Sequence, residues 1–249
     1  MFVRSPPGDS NAGRRTPEPK VPADPPRPED ERARAERFVA DILPRDQVLR
    51  VLAVEAGDQF AVRAPAYVVG GDVRQAERSP RPHADERRAI DLDRMNVETG
   101  EYDVVLFVNV LEHARKPLSL FPTAWSALKD GGLFVLVLPN VASVKGLLAR
   151  FMPWRFQRWF YARILRSSSV PARSIHSYSL RPSSLLAHAR AGGWKVEYFR
   201  LYEGGVQRSV RQRLRLVGWR WRFVVVAIHL ATFGLLTAEE TGIILVLSR

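Results

Sequence analysis

Two apolar runs constrain this chain more than any other feature of it. Asp103 to Val110 reads DVVLFVNV, and Leu133 to Leu138 is six apolar residues bounded by Gly131-Gly132 and Pro139-Asn140. Runs this short, with no polar residue at alternate positions, do not suit a strand with one face in water. They suit strands buried on both faces, as in a parallel sheet covered by helices. Val48 to Val54, Ala66 to Val69 and Arg88 to Ile90 are shorter or weaker runs of the same kind. Helical spacing occurs before and between them. Ala35, Phe38, Val39 and Ile42 recur between Glu31 and Leu43 until Pro44 closes the pattern, and Pro117 to Leu128 has the same period. Strand alternating with helix predicts a doubly wound α/β fold, in which ligands bind at the carboxyl ends of the strands.

The chain has 249 residues, enough for one such domain with decorations, and 46% of them are hydrophobic, enough to fill its core. Cysteine is absent, which excludes a disulfide framework, a thiolate nucleophile, an iron–sulfur cluster and a cysteine zinc site; the five histidines are scattered, so no metal is expected. Met1 to Glu31 holds eight of the 18 prolines among arginines and acids. Such a segment cannot recover the entropy of ordering through burial, so residues 1–31 are expected to be a disordered tail and 32–249 the domain. No apolar stretch of signal-peptide length follows the start, which makes a cytoplasmic protein the default.

The residues that follow the strands carry the chemistry. Glu55-Ala56-Gly57-Asp58 follows the first, Gly70-Gly71-Asp72 the second, Asp91-Leu92-Asp93 the third and Asn109-Val110-Leu111-Glu112-His113 the fourth. Any one of these acids can be a turn or cap residue. Three successive strands ending in an acid offer acceptors for the ribose hydroxyls and exocyclic amine of a nucleoside.

At this point the sequence resembles a family. Glu101-Tyr102-Asp103-Val104-Val105, Val110-Leu111-Glu112-His113, Ala127-Leu128-Lys129-Asp130-Gly131-Gly132 and Leu138-Pro139-Asn140 are similar to motifs of class I S-adenosylmethionine-dependent methyltransferases, nearest the type 11/23 group, with Asp130 in place of the usual proline. The resemblance spans about Val48 to Arg200, and Gly242 to Leu247 matches the family's last strand. It implies a Rossmann-like, seven-stranded sheet, mostly parallel with an antiparallel last strand, and S-adenosyl-L-methionine as cofactor. It also assigns roles by position. Glu55, Ala56 and Gly57 take the place of the glycine-rich first motif, Asp72 that of the ribose-binding acid, and Asp91 and Leu92 that of the adenine loop. Asn109, Val110 and Leu111 would flank the methionine portion. The first motif departs from the pattern: it has one glycine, and only Asp58 to Pro65 separates the first two strands, so the first helix is expected to shrink to a turn. Loss of the glycines leaves a non-catalytic, methyltransferase-like binding protein as an alternative.

Two histidines fall where catalysis is expected. His113 follows the fourth strand and is expected to open the next helix; it is a candidate general base for an acceptor proton, or a side chain that hydrogen-bonds backbone at a turn. His176 and Tyr178 lie in Ser174-Ile175-His176-Ser177-Tyr178-Ser179, similar to an element that closes over the acceptor pocket in related methyltransferases, and are candidate substrate contacts. The helix after them is expected to be capped by Ser183 or Ser184 and ended by Gly192-Gly193.

Charge is unevenly spread. Gly131 to Ala238 carries 17 Lys or Arg against Glu197 and Glu203, a balance of +15, which leaves −3 for the rest of a chain whose total is +12. This half is expected to meet an anion: a phospholipid surface, a phosphorylated substrate or nucleic acid. Two stretches, 144–170 and 206–237, interleave arginine with tryptophan. Trp219 and Trp221 sit among six arginines from Arg208 to Arg222, and Phe223 to Leu236 is nearly all apolar but too short to span a bilayer. Both are expected to be C-terminal helical insertions, either lids or peripheral membrane contacts on the inner face. The expected acceptor is a small anionic, amphipathic or glycan- or lipid-linked molecule. No nucleic-acid motif accompanies the charge, and a nucleic-acid methyltransferase is kept as the second alternative.

Overall fold

The computed structural model describes residues 28–55, 60–73, 84–90, 97–143, 178–213, 215–216, 218–233, 236 and 238–249. One sheet holds seven strands: β1 (Leu49–Glu55), β2 (Ala66–Val73), β3 (Glu86–Ile90), β4 (Tyr102–Val108), β5 (Leu128–Pro139), β6 (Lys195–Tyr202) and β7 (Gly242–Ser248). Their spatial order is β3-β2-β1-β4-β5-β7-β6. All pairs among the first five are parallel, and β7 runs antiparallel between β5 and β6, as expected. Five α-helices are described: α1 (Pro28–Ile42), α2 (Leu120–Ala127), α3 (Pro182–Ala191), α4 (Gly205–Arg213) and α5 (Trp219–Ala231).

The unbroken apolar runs arise because successive residues feed two different cores. In β4, Val105 and Phe107 point into one core, while Val104, Leu106 and Val108 point into the other. In β5 the sharing is Phe134, Leu136 and Leu138 against Leu133, Val135 and Val137. The first core is closed by Leu120, Phe121 and Ala124 of α2, Leu185 and Ala189 of α3, and Trp194. Phe134 is its hub, edge-on to Phe107 at 5.1 Å and to Phe121 at 5.5 Å; truncating such a residue to Ala costs about 3–5 kcal/mol. The second core is covered by Ala35, Val39 and Leu43 of the N-terminal segment together with Phe60, and Phe38 lies 5.1 Å from Tyr198 of β6.

Several boundaries differ from the sequence reading, each for a local reason. The first helix starts at Pro28 rather than after Glu31, so residues 28–31 belong to it. A proline fits a first helical turn, where its missing N–H is not needed, and Glu29, Asp30 and Glu31 sit at the positive end of the helix. Residues 1–27 lie outside the described part. β2 continues through Gly70-Gly71-Asp72 to Val73 instead of stopping at Val69. A Cβ on Gly71 would stand 2.5 Å from Ile90 Cδ1 and 2.9 Å from Val54 Cγ2, so neighbouring side chains occupy the space that a larger residue would need. These glycines pack the sheet and do not make a turn. β5 begins at Leu128, with Gly131 at φ +76° and a register shift opposite Tyr102 and Val104. The Gly131-Gly132 pair is thus a bulge inside the strand. α3 starts at Pro182 with Arg181 as an extended N-cap and no side-chain cap, because proline presets the first turn and forces its predecessor out of the helix. Gly192 and Gly193, at φ +81°, end it as expected.

Among the described residues no helix joins β1 to β2. Residues 60–65 run irregularly, with Phe60 fully buried, and are fastened to α1. The Ala61 N–H donates to Glu36 Oε1 at 3.0 Å and Arg63 Nη2 to Glu36 Oε2 at 3.1 Å. A buried carboxylate on α1 holds the short connection in place.

Candidate active site

The carboxyl ends of β2, β1 and β4 lie side by side. Glu55 is level with Val108, and Val54 pairs with both Phe107 and Gly71, so Asp72 stands one residue beyond that pair, at the level of Glu55. The chain leaves β1 toward β2 on one side and reaches β4 on the other, which opens the crevice of a doubly wound sheet outside these ends. Strand spacing of about 4.8 Å brings the two acid-bearing ends within reach of one ribose-sized group.

β4 stops at Val108 because Asn109 turns out of the sheet. Its φ of +53° is left-handed, a conformation that asparagine tolerates better than most residues, and its N–H donates to Val137 O at 2.7 Å. A left-handed residue at a strand end is the kind of local strain that concentrates at ligand sites. The chain then makes one 3-10 turn, Leu111–His113, in which the His113 N–H donates to Val110 O at 2.9 Å. Val110 and Leu111 are fully buried in the first core, so any contact they make with a ligand is through backbone atoms. Glu112 is buried, and His113 is half-buried and closes the turn where the sequence reading had it open a helix. The next turn, Pro117–Ser119, lies against a third one, Tyr178–Leu180. Ala56, Gly57, Asp91, Leu92 and His176 lie outside the described residues, as does the 144–170 stretch.

The far rim is built from residues to which the sequence reading gave no role. The Asn140 side chain is buried at the end of β5; its Nδ2 donates to Glu240 O at 2.7 Å and its Oδ1 accepts from the Ala142 N–H at 2.9 Å. The Asn140 N–H donates to Thr241 O at 2.9 Å, so the last motif of β5 clamps the start of β7. Beside it Glu203, just past β6, accepts from Arg211 Nε at 3.1 Å and Nη2 at 3.2 Å, and both side chains are almost completely buried. Burial pushes the Glu203 carboxyl above the usual range, and the Arg211 guanidinium opposes that. The guanidinium also stacks 5.4 Å from the Trp221 ring, and Trp221 Nε1 donates to Glu239 Oε1 at 3.0 Å. The signal for this pair was in the sequence: Glu203 is one of only two acids in a strongly basic half.

The donor set fits a nucleoside-bearing sulfonium donor. Two acidic residues, Glu55 and Asp72, stand level on adjacent strands at their carboxyl ends, and the backbone at Asn109 beside them is left-handed. Among the described residues no group of three or more His, Cys, Asp or Glu could hold a metal.

A family model described as a methyltransferase domain, of the type-23 group, matches residues 28–197. The chain belongs to this family. It is a class I methyltransferase domain, with S-adenosylmethionine as its methyl donor. No curated protein sequence matches it significantly. Solved structures share the fold: an S-adenosylmethionine-dependent methyltransferase from Mesorhizobium loti is 17% identical, with 87% of this chain and 96% of that one covered and a TM-score of 0.50. A phosphoethanolamine N-methyltransferase 2 from Haemonchus contortus is 14% identical, with 92% and 54% covered and a TM-score of 0.53. In the methyltransferase, α4, α5 and β7 all lie beyond the stretch that the family model matches.

Proposed function

We propose that the methyltransferase transfers a methyl group to a small anionic, amphipathic acceptor, free or linked to a glycan or lipid. One observation carries this reading: the rim of the site on the β6 side leads directly into α4 and α5, where six arginines and no acid occur between Gly204 and Ala238. A cationic rim favours an anionic acceptor over a neutral or cationic one. A phosphate-bearing acceptor is in the name of the Haemonchus contortus protein that shares the fold.

The donor, when bound, supplies a methyl already activated on sulfonium, so the chain's residues mainly hold and align. Glu55 and Asp72 accept hydrogen bonds from ribose hydroxyls, with Ala56, Gly57, Asp91 and Leu92 completing the donor contacts. The backbone from Asn109 to Leu111 borders the methionine portion. His113 takes the proton from a hydroxyl or ammonium acceptor, and His176 and Tyr178 contact that acceptor. The place of action is the cytoplasm, at the inner face of the membrane, where anionic lipid is exposed.

The test is transfer of labelled methyl from S-adenosylmethionine into a lipid extract, a water-soluble phosphorylated metabolite fraction and bulk RNA, beside calorimetric titration with S-adenosylhomocysteine. Label in an acidic lipid or phosphorylated metabolite is expected. Donor binding with label only in RNA would replace the proposed acceptor with nucleic acid. Failure to bind donor would make the chain a non-catalytic relative.

A further inference from the structure

α5 presents an apolar stripe that nothing in the described structure covers. Trp219, Phe223, Val226, Leu230 and Phe233 are 74, 70, 54, 69 and 94% exposed, and their spacing of four, three, four and three puts them on one face of the helix and the turn after it. The opposite face is held down. Trp221 is 8% exposed, bonded to Glu239 and stacked on Arg211, so it is not available to insert into a membrane. The helix is therefore fixed to the domain by one tryptophan and turned outward by the rest.

The charge around the stripe selects the partner. Arg213, Arg215, Arg220 and Arg222 are exposed, and Arg220 lies 5.7 Å from the Trp219 ring. Arg215 and Arg220 also line an open cleft of about 520 Å³ with Gln212 and Trp219, at the corner between α4 and α5. That corner is shaped by left-handed backbone at Arg215 (φ +53°) and Gly218 (φ +59°). An indole beside two guanidiniums in an open cleft matches a lipid phosphate at the level of the headgroups. A second copy docked stripe to stripe would bring the two arginine sets together, and nucleic acid would leave the apolar stripe in water. At 13 residues α5 is about 20 Å long, the dimension of a helix that lies in an interface, and among the described residues no helix is long and apolar enough to cross a membrane.

We propose that α5 is an in-plane docking helix for an anionic phospholipid bilayer, with the Gln212–Arg220 cleft receiving a lipid phosphate. The helix is tied through Trp221, Glu239 and Arg211 to the rim at Glu203 and Asn140, so docking sets the mouth of the site at the lipid surface. The proposal does not depend on which acceptor is methylated.

The experiment is co-sedimentation of the full chain with phosphatidylcholine vesicles, with and without phosphatidylserine, at low and high salt. Binding is expected to be much stronger with phosphatidylserine than without it, and weakened but not abolished by salt, because screening acts on the arginines and not on buried apolar groups. Each arginine near an anionic surface is worth about fivefold, so R220A/R222A lowers the partition about 25-fold at low salt. F223S/L230S/F233S removes the salt-resistant part, at least about a hundredfold. S-adenosylhomocysteine affinity of both variants stays at the wild-type value, which separates this outcome from a failure of the methyl-transfer reading. Wild-type protein that stays in solution with anionic vesicles overturns the proposal, as does equal binding by the wild type and the triple variant. Self-association abolished by the triple variant, without vesicle binding, assigns the stripe to a second copy and also overturns it.

Discussion

The buried pair of Glu203 and Arg211 makes an asymmetric prediction. Glu203 is fully buried at the side chain and Arg211 is 2% exposed, and they meet through two parallel hydrogen bonds at 3.1 and 3.2 Å. Removing one partner of such a pair leaves an uncompensated charge in the interior and costs about 3–5 kcal/mol, a large part of a domain's usual 5–15 kcal/mol. The two single variants nevertheless differ with pH. In Arg211→Met the orphaned carboxyl can shed its charge by binding a proton. Burial already pushes it above its ordinary value of 4.5, and loss of the guanidinium removes the main opposing influence. A carboxyl whose folded value is raised contributes stability that is complete below the unfolded value and lost as pH rises through the folded one. The Arg211→Met deficit is therefore largest at neutral pH and shrinks on acidification. In Glu203→Gln a guanidinium remains that has no neutral form to adopt, so acidification brings it no relief and its deficit does not shrink. The double variant falls near the wild type, since neither charge is then left behind. Urea unfolding followed by tryptophan fluorescence at neutral and mildly acidic pH measures all four proteins. Deficits below about 1 kcal/mol, or the same pH dependence in both single variants, would refute the argument.

Three further outcomes are expected. Asp72→Ala weakens S-adenosylmethionine binding about 10- to 100-fold by calorimetry with the fold intact, the worth of one charge-assisted hydrogen bond; unchanged affinity would remove Asp72 from the donor site. His113→Ala lowers the transfer rate by about 10²–10⁴ while donor affinity is kept, and full activity would mean that the acceptor needs no base at this position. Burial and the neighbouring Glu239 push the Glu240 carboxyl up, so its ionised form burdens the fold at neutral pH. Glu240→Gln should raise the melting temperature there, with the gain fading below the ordinary value of 4.5; an effect independent of pH would contradict this.

Much of the architecture was legible because its signals are local. The continuous runs in β4 and β5 announce strands with two dry faces, and the acids Glu55 and Asp72 fall at the carboxyl ends of β1 and β2. The short link between those strands could be read from its length alone. Boundaries were harder wherever glycine occurred. Gly70-Gly71 and Gly131-Gly132 look like turns in sequence, and both lie inside strands. Nothing within either segment says that Ile90 and Val54 will fill the space beside Gly71.

The sequence by itself determined the class of fold and the sign of the charge on its C-terminal half, because hydrophobic period and net charge are sums over neighbouring residues. Only the tertiary structure decided which of those charges and aromatics are used where. Trp219 and Trp221 stand two positions apart among the same arginines, yet one is 74% exposed and the other 8%. Glu203 and Arg211 form a buried pair, while Arg213, two residues on, is exposed. The difference comes from contacts with Glu239 and the start of β7, remote in sequence from α4, and a pattern within one helix carries no information about a partner that arrives only when the sheet closes.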